Sequence, residues 1–390
     1  MKLLVLLGVA LLWLVQCAPN DGTPPLTVWS NDPDTAFFVE RYQLETGKPV
    51  RFRFVSNLTE ELTQQRVDAD LVVGRWINNP PVHSVLRDLP EGATLRPLAF
   101  SLGAVVFVPS RIEPLPPFQV TMEELGTNLR LRGTAGVEPE ALDPMRFTLA
   151  NQPALQYHIL RMSGLAPIPD TLRHARWDAE LHDQGFQIIR QWQNRWNSGP
   201  EEEQLYVERF LYEPWLRLLD TERVLAVYKP SQELFSWYFF EEDQWDFRWV
   251  ADEDGELLAL ENIVYGGIPQ TATRRSEARN FLNWLSNPAV QVQLVQDKLD
   301  NHVDSFGLFG GFSLNREANE RIAREIRPVL MGRLPDPETV RFPAPRPRYW
   351  DEAREQVVEP FLLNAVRQTN PPDGAALVRS LARWYDQRGD

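Results

Sequence analysis

Tyr265-Gly266-Gly267-Ile268-Pro269, continuing through Arg274–Gln291, is the stretch on which the fold turns. It reads as a short apolar strand, a glycine turn, an Ile-Pro step and an amphipathic helix. Glycine tolerates positive φ and Pro269 fixes its own φ, so the chain can leave a sheet sharply and soon enter a helix. Ala278, Phe281, Leu282 and Leu285 fall at helical spacing, one apolar face with Arg, Glu and Asn around it. Asn287-Pro288 stops that helix and starts another carrying Val290, Leu294 and Val295. The unit comes late, after a long helical middle, and its natural sheet partner lies near the start of the chain.

That partner segment begins with the strand Leu26-Thr27-Val28-Trp29. Asp32-Pro33 is a helix start, Asp as N-cap and Pro at the first helical position, and Gly47 ends the helix Asp34–Thr46. Val50–Val55 and Thr59–Val67 predict a second strand and helix. Asp70-Leu71-Val72-Val73-Gly74 is apolar along its length, as a parallel strand covered on both faces should be. The order β-α-β-α-β is a doubly wound opening. Further on, Leu98–Pro109 predicts one crossing strand, and Thr121 with Glu124 forms a capping box. Gly133–Asp143 reads as a loop and Phe147–Leu160 as a helix. Asp178–Asn194 and Glu202–Leu219 are amphipathic helices, Val224–Tyr228 and Phe247–Val250 strands. Pro230-Ser231 opens a helix, Phe306–Phe312 is a glycine- and aromatic-rich loop, and Tyr349–Arg367 and Pro372–Asp386 close the chain as helices.

This order resembles the extracellular solute-binding proteins of bacterial ABC importers, in the group that includes maltose-binding protein. The resemblance is carried by Ile268-Pro269, Ala278, Phe281-Leu282, Trp284-Leu285, Asn287-Pro288 and Gln291, by Ala69-Asp70-Leu71-Val72 with Trp76 after it, and by Tyr349-Trp350. Val120–Leu125 resembles the family's capping segment with Met122 where Trp is common, and Pro109-Ser110 stands without the usual Asn. The family implies a periplasmic-binding-protein-like α/β fold of type II, two discontinuous lobes joined by crossover strands. Lobe one is expected at 24–107 and 259–311, lobe two at 108–258 and 312–390.

Composition fits such a body. At 390 residues the chain exceeds one ordinary core, and 43% hydrophobic with 24% charged residues is globular. A formal net charge of −14 argues against a nucleic-acid partner, which requires neutralised phosphates. Leu3–Val15 behind Lys2 is too short to span a bilayer and reads as a signal-peptide core. It runs into Cys17, the only cysteine, in a sequence that looks like a bacterial lipobox, with Gln16 departing from the usual small residue. Residues 1–17 are thus expected to be a lipoprotein signal, 18–25 a tether, and the protein exported and held on the cell membrane by a lipid on Cys17. With one cysteine there is no disulfide framework.

Catalytic motifs are absent: no nucleophile elbow, no His-Glu-x-x-His, no phosphate loop, no Cys/His metal spacing. Five scattered histidines suggest no shared site, and the pairs Glu123-Glu124 and Glu241-Glu242 lack the separation that glycoside cleavage needs. No enzyme, cofactor or metal is expected. A binding cleft between lobes, at the carboxyl ends of strands, is the better reading. Segments expected to face it supply Trp29, Asp32 and Asp34; Arg75 and Trp76; Asn151 and Gln152; and Lys229, Trp237 and Trp350. Aromatic faces beside planar polar groups suit sugars, and 13 tryptophans fit that use. The resemblance implies capture of a small solute, a sugar or oligosaccharide, by hinge closure of a monomer and delivery to ABC permease subunits. The alternative keeps the fold in a surface lipoprotein that acts as a sensor or binds a partner.

Overall fold

A computed structural model describes residues 24–388, apart from 64–66, 91, 130–144, 170–174, 198, 211, 237–243 and 304. The signal region, Cys17, Trp237, Glu241-Glu242 and the Gly133–Asp143 loop lie outside the described residues. The strands are β1 (Leu26–Ser30), β2 (Val50–Phe54), β3 (Leu71–Arg75), β4 (Arg96–Phe100), β5 (Gly103–Phe107), β6 (Gln119–Val120), β7 (Ile168–Pro169), β8 (Ala175–Arg176), β9 (Ala226–Pro230), β10 (Asp246–Val250), β11 (Val264–Gly267) and β12 (Phe312–Ser313). Six form one sheet in the order β12-β4-β11-β3-β1-β2, four form a second in the order β6-β10-β5-β9, and β7 pairs with β8. β1 runs parallel to β2 and β3, the doubly wound opening expected. β11 then enters antiparallel between β3 and β4, so a strand from late in the chain completes the first sheet.

The two glycines of β11 have another role than the one their sequence suggests. Neither has positive φ. A Cβ on Gly266 would stand 2.6 Å from a methyl of Leu282, and one on Gly267 2.8 Å from methyls of Leu86 and Leu95. Glycine is required by close approach, because helix Arg275–Leu285 lies directly on the strand. That helix buries Ala278, Phe281, Leu282 and Leu285 against Val28, Phe38, Leu71 and Val73. Each fully buried Leu or Phe contributes roughly 1.5–3 kcal/mol. Its N-terminus is capped from a distance: Asp70 Oδ1 accepts from Thr273 N (2.9 Å), Thr273 Oγ1 (3.1 Å) and Arg274 N (3.0 Å). Asp70 Oδ2 also accepts from Thr27 N, so one carboxylate ties β1, β3 and this helix together.

The crossing segment is two strands, not one. β4 pairs in the first sheet and β5 in the second, with Ser101-Leu102 as the step between them. β5 therefore pairs with strands of the second half, and β12 with the first, although the expected boundaries at 107 and 311 place each on the other side. Both are short apolar runs, and only long-range pairing assigns them. Around Ser101 the chain crosses twice more: Leu260 N donates to Ser101 O, and Arg341 N donates to Leu257 O.

Helices follow their local signals where prolines allow. Asp34–Thr46 ends at Gly47 in the left-handed conformation, and the Thr121–Glu124 capping box is formed. The helix expected over Phe147–Leu160 begins at Pro153, and Glu202–Leu219 is interrupted before Trp215 by Pro214. Helices Pro153–Met162, Ala179–Trp196, Glu359–Arg367 and Gly374–Arg388 cover one face of the second sheet, burying Leu155, Ile189, Trp192, Leu362 and Leu377 on Val105, Phe107 and Val250. Phe281 and Trp192 thus lie in separate clusters, while a third, with Val72 and Trp249, spans both sheets.

Candidate functional site

Helix Pro153–Met162, the end of β9 and the crossover residues Leu260, Glu261 and Asn262 meet around a cavity of about 450 Å³. It is lined by Tyr157, His158, Arg161, Tyr228, Glu261 and Arg354, with Asn262 from the crossover and Ser305 from the first half at its edge. A larger groove, about 850 Å³, belongs to the second half alone, along helix Ala179–Trp196. The smaller cavity takes its lining from the end of β9, from the crossover segment and from Ser305 of the first half, beside the place where the chain passes between the sheets, where ligands of open α/β folds bind.

Glu261 is the hub. Its side chain is buried and accepts from Trp350 Nε1 (3.0 Å) and from the Tyr157 hydroxyl. Arg161 Nε stands 3.4 Å from it, Arg346 is ion-paired to it, and Arg354 Nη1 lies 3.9 Å away. Burial pushes the guanidinium pKa of Arg161 down and that of Arg346 well down. Arg161 Nη1 also donates to Ala259 O, which fixes the helix to the crossover.

Two uncharged residues of the lining carry buried polar groups without partners among the described residues: both ring nitrogens of His158 and the hydroxyl of Tyr228. His158 is 1% exposed and Tyr228 4%. Burial, aided by Arg161, drives the His158 pKa down to about 3, so the ring is a neutral donor and acceptor at physiological pH. Buried polar groups are normally hydrogen-bonded; orphans beside a cavity mark where a ligand's polar groups belong.

On the first half, Asp32 pairs with Arg75 through Nε (2.9 Å) and Nη2 (2.8 Å), and Arg75 donates to Asn262 O (3.1 Å) and Phe309 O (2.6 Å). Burial raises the Asp32 pKa against the pull of Arg75. Asp34 pairs with Lys298 at 2.6 Å, and burial lowers the Lys298 pKa. Both pairs brace the strand ends behind the cavity. Trp76 follows β3 with φ 65°, held by Asn79 and Thr59 side chains on its carbonyl, and carries the Arg354 guanidinium 5.0 Å above its ring. A bulky residue at positive φ is strained and persists only where its surroundings over-determine it. Arg354 begins a π turn, Arg354–Val358, set immediately ahead of Pro360, which cannot donate to the preceding turn.

Of the residues singled out in sequence, Trp76 and Trp350 meet the hub through Arg354 and Glu261. Trp350 also stacks on Trp177 at 5.8 Å. Asn151, Gln152 and Lys229 line a neighbouring 360 Å³ pocket, which shares Ala154, Tyr228, Pro230 and Glu233 with the first. Lys229 is ion-paired to Glu233. Trp29 is buried in a core with Arg53 4.6 Å over its ring, outside the described lining. The sequence reading missed Tyr157, His158, Arg161, Tyr228, Glu261 and Arg354. One signal was available: Gln156, Tyr157, His158 and Arg161 interrupt a helix whose other positions are apolar, and all four are buried.

No protein-family model matches the chain, and no curated protein matches it in sequence. The fold is that of solute-binding proteins of the maltose-binding type. The sugar-binding protein MalE from Xanthomonas citri superposes with a TM-score of 0.67 at 11% identity, over 93% of this chain and 97% of that one. The ABC substrate-binding protein Lmo0181 from Listeria monocytogenes, in complex with cycloalternan, gives 0.56 at 11% identity over 93% and 98%. The maltose/maltodextrin-binding domain MalE from Bdellovibrio bacteriovorus, bound to maltotriose, gives 0.52 at 13% over 94% and 99%. These neighbours are binding proteins.

Proposed function

We propose that this protein is the exported saccharide-binding component of an ABC importer. Its two discontinuous lobes, built on the two sheets, close on a sugar in the 450 Å³ cavity and present it to the permease. The observation that carries this reading is the pair of orphaned buried polar groups, the His158 ring nitrogens and the Tyr228 hydroxyl, on residues that line a cavity beside the crossover segment. The shared fold with proteins crystallised on cycloalternan and maltotriose supports it. The volume is within the range of small-molecule sites, and its lining combines Tyr157 and Tyr228 with planar polar side chains such as Gln232, Asn262 and Arg161.

Binding and release, with no bond broken, is the chemistry assigned to the cleft. Ligand would supply hydrogen bonds to His158 and Tyr228, and the charged hub would hold its orientation. Export follows from the Leu3–Val15 signal core, and anchoring by a lipid on Cys17 places the monomer beside its permease. Thermal unfolding with a panel of oligosaccharides tests this: at a hundredfold excess over Kd, ligand stabilises by about 2.7 kcal/mol. Release of reducing ends would show a glycosidase instead. Stabilisation by polyamine, metal or phosphate, and by no saccharide, would sink the reading.

A further inference from the structure

We infer that Gln232 is a ligand-binding residue that also holds the two halves at one angle. Its side-chain oxygen is fixed by the first half and the crossover, and its amide N–H groups are left for a saccharide hydroxyl. This rests on the cleft being a saccharide site and names the residue that keeps it shut. The charged groups of the lining are committed to ion pairs: Arg161 to Glu261, Arg354 to Glu359 and Glu261, and Glu233 to Lys229. Recognition therefore falls to uncharged groups. These are the His158 ring, the Tyr228 hydroxyl and the amides of Gln232 and Asn262, all on residues of the one lining.

Gln232 lies in the short helix Ser231–Ser236 that follows β9 in the second half, and three contacts tie it beyond that half. Arg75 Nη1, at the end of β3, donates to Gln232 Oε1 at 3.5 Å, and Asn262 Nδ2, on the crossover, donates to the same oxygen at 2.7 Å. A guanidinium only donates, so the atom it meets is the oxygen, and the amide N–H groups of Gln232 point away from Arg75. Asn262 is set in turn: its nitrogen meets Gln232, and its oxygen accepts from the Ser101 hydroxyl at 2.6 Å. Arg75 is itself locked by Asp32 and by the carbonyls of Asn262 and Phe309. The third contact is with Gly310, φ 73°, in the first half. A Cβ there would stand 3.2 Å from Cγ, Cδ and Nε2 of Gln232, so the side chain lies along that backbone. Neither N–H of Gln232 has an acceptor among the described residues. A ligand hydroxyl that accepts from it extends the hydrogen-bonded chain Asp32–Arg75–Gln232 into the cavity, and that chain exists only while the halves are together.

The test uses the purified chain with maltotriose and cellotriose as probes, read by calorimetry and by stopped-flow tryptophan fluorescence. A group that holds the closed form acts on release, so Gln232→Met is expected to weaken binding about tenfold through koff, with kon unchanged. Gln232→Glu keeps an oxygen for Arg75 and Asn262 and is expected to fall between Gln232→Met and the wild type. An unchanged koff in Gln232→Met, a loss confined to kon, or a Gln232→Glu no better than Gln232→Met overturns the inference and leaves the saccharide site standing. A wild type that binds neither probe also overturns it; absence of any saccharide from the wider thermal panel overturns the underlying reading. If Gln232→Met does not fold, Gln232→Ala is read in its place. Failure of both to fold makes Gln232 a residue of folding and overturns its role at the ligand.

Discussion

Arg354, in the second half of the molecule, lies 5.0 Å above the indole of Trp76, which leaves the first sheet at the end of β3. The contact crosses the cleft and joins a strained backbone position to the start of a π turn. It is one of few side-chain contacts between the halves at this edge, with Arg75 donating to Gln232 at 3.5 Å beside it. A cation over a partly shielded indole is worth about 0.5–2 kcal/mol. Trp76→Ala is therefore expected to open the cleft of the unliganded protein and weaken sugar binding several-fold. Small-angle scattering checks the first and calorimetry the second; an unchanged radius of gyration with wild-type affinity would remove Trp76 from the closure.

Tyr228→Phe should move stability and affinity in opposite directions. The hydroxyl has no partner among the described residues, so its deletion removes a desolvated group at no cost in hydrogen bonds. The unliganded protein should be equally stable or up to about 1 kcal/mol more stable. Saccharide affinity should fall about 5- to 30-fold, the loss of one hydrogen bond made only to ligand. Urea unfolding and calorimetry on one preparation decide it.

Asp70, just ahead of β3, holds a helix that starts just over two hundred residues later. Asp70→Ala strips three donors at the N-terminus of Arg275–Leu285 and one on β1, and should cost about 1–3 kcal/mol. The urea midpoint should drop, with ligand affinity at a matched fraction folded unchanged. A stability loss below 0.5 kcal/mol, on the order of an ordinary surface change, would refute the cap.

Mild acid should destabilise the fold through two buried imidazoles. Burial holds the His158 imidazole down at about 3 and that of His182 at about 4, against about 6.5 in the unfolded chain. Below pH 6.5 the unfolded state takes protons that the folded state refuses, so stability falls with pH until the folded values are reached. By pH 5 the loss is roughly 2 kcal/mol for each ring. Urea unfolding at pH 7, 6 and 5 measures it, and His158→Gln should remove about half of the slope.

Gly311 should tolerate a side chain less well than Gly266. A Cβ on Gly311 would stand 2.4 Å from the Phe100 carbonyl oxygen on β4, whereas one on Gly266 meets only side-chain atoms, a methyl of Leu282 at 2.6 Å and one of Leu98 at 3.3 Å. A side chain can turn, at about 1–3 kcal/mol in a packed core, but a sheet backbone cannot yield without losing its ladder. Gly311→Ala is expected to be the more destabilising of the two in urea unfolding. The reverse order would mean that the strand pair β4–β12 is loosely held.

Much of the fold was legible because local physics states it locally. Leu71–Val73 is apolar on both faces since it is covered on both, and Asp34–Thr46 carries its own stop in Gly47. Ala278, Phe281, Leu282 and Leu285 repeat at the spacing of one helix face, so their burial could be read directly. What the chain alone could not reveal is where separated pieces meet. β5 and β12 are apolar runs that fit either sheet, and pairing across more than a hundred residues assigns them. The site is of the same kind: Glu261, Arg161, Arg346, Arg354 and Trp350 have no common period or motif, because charges recruit partners through space and a single buried carboxylate gathers whichever donors the fold delivers. Periodicity made the layers; the crossing of the chain between them made the cavity.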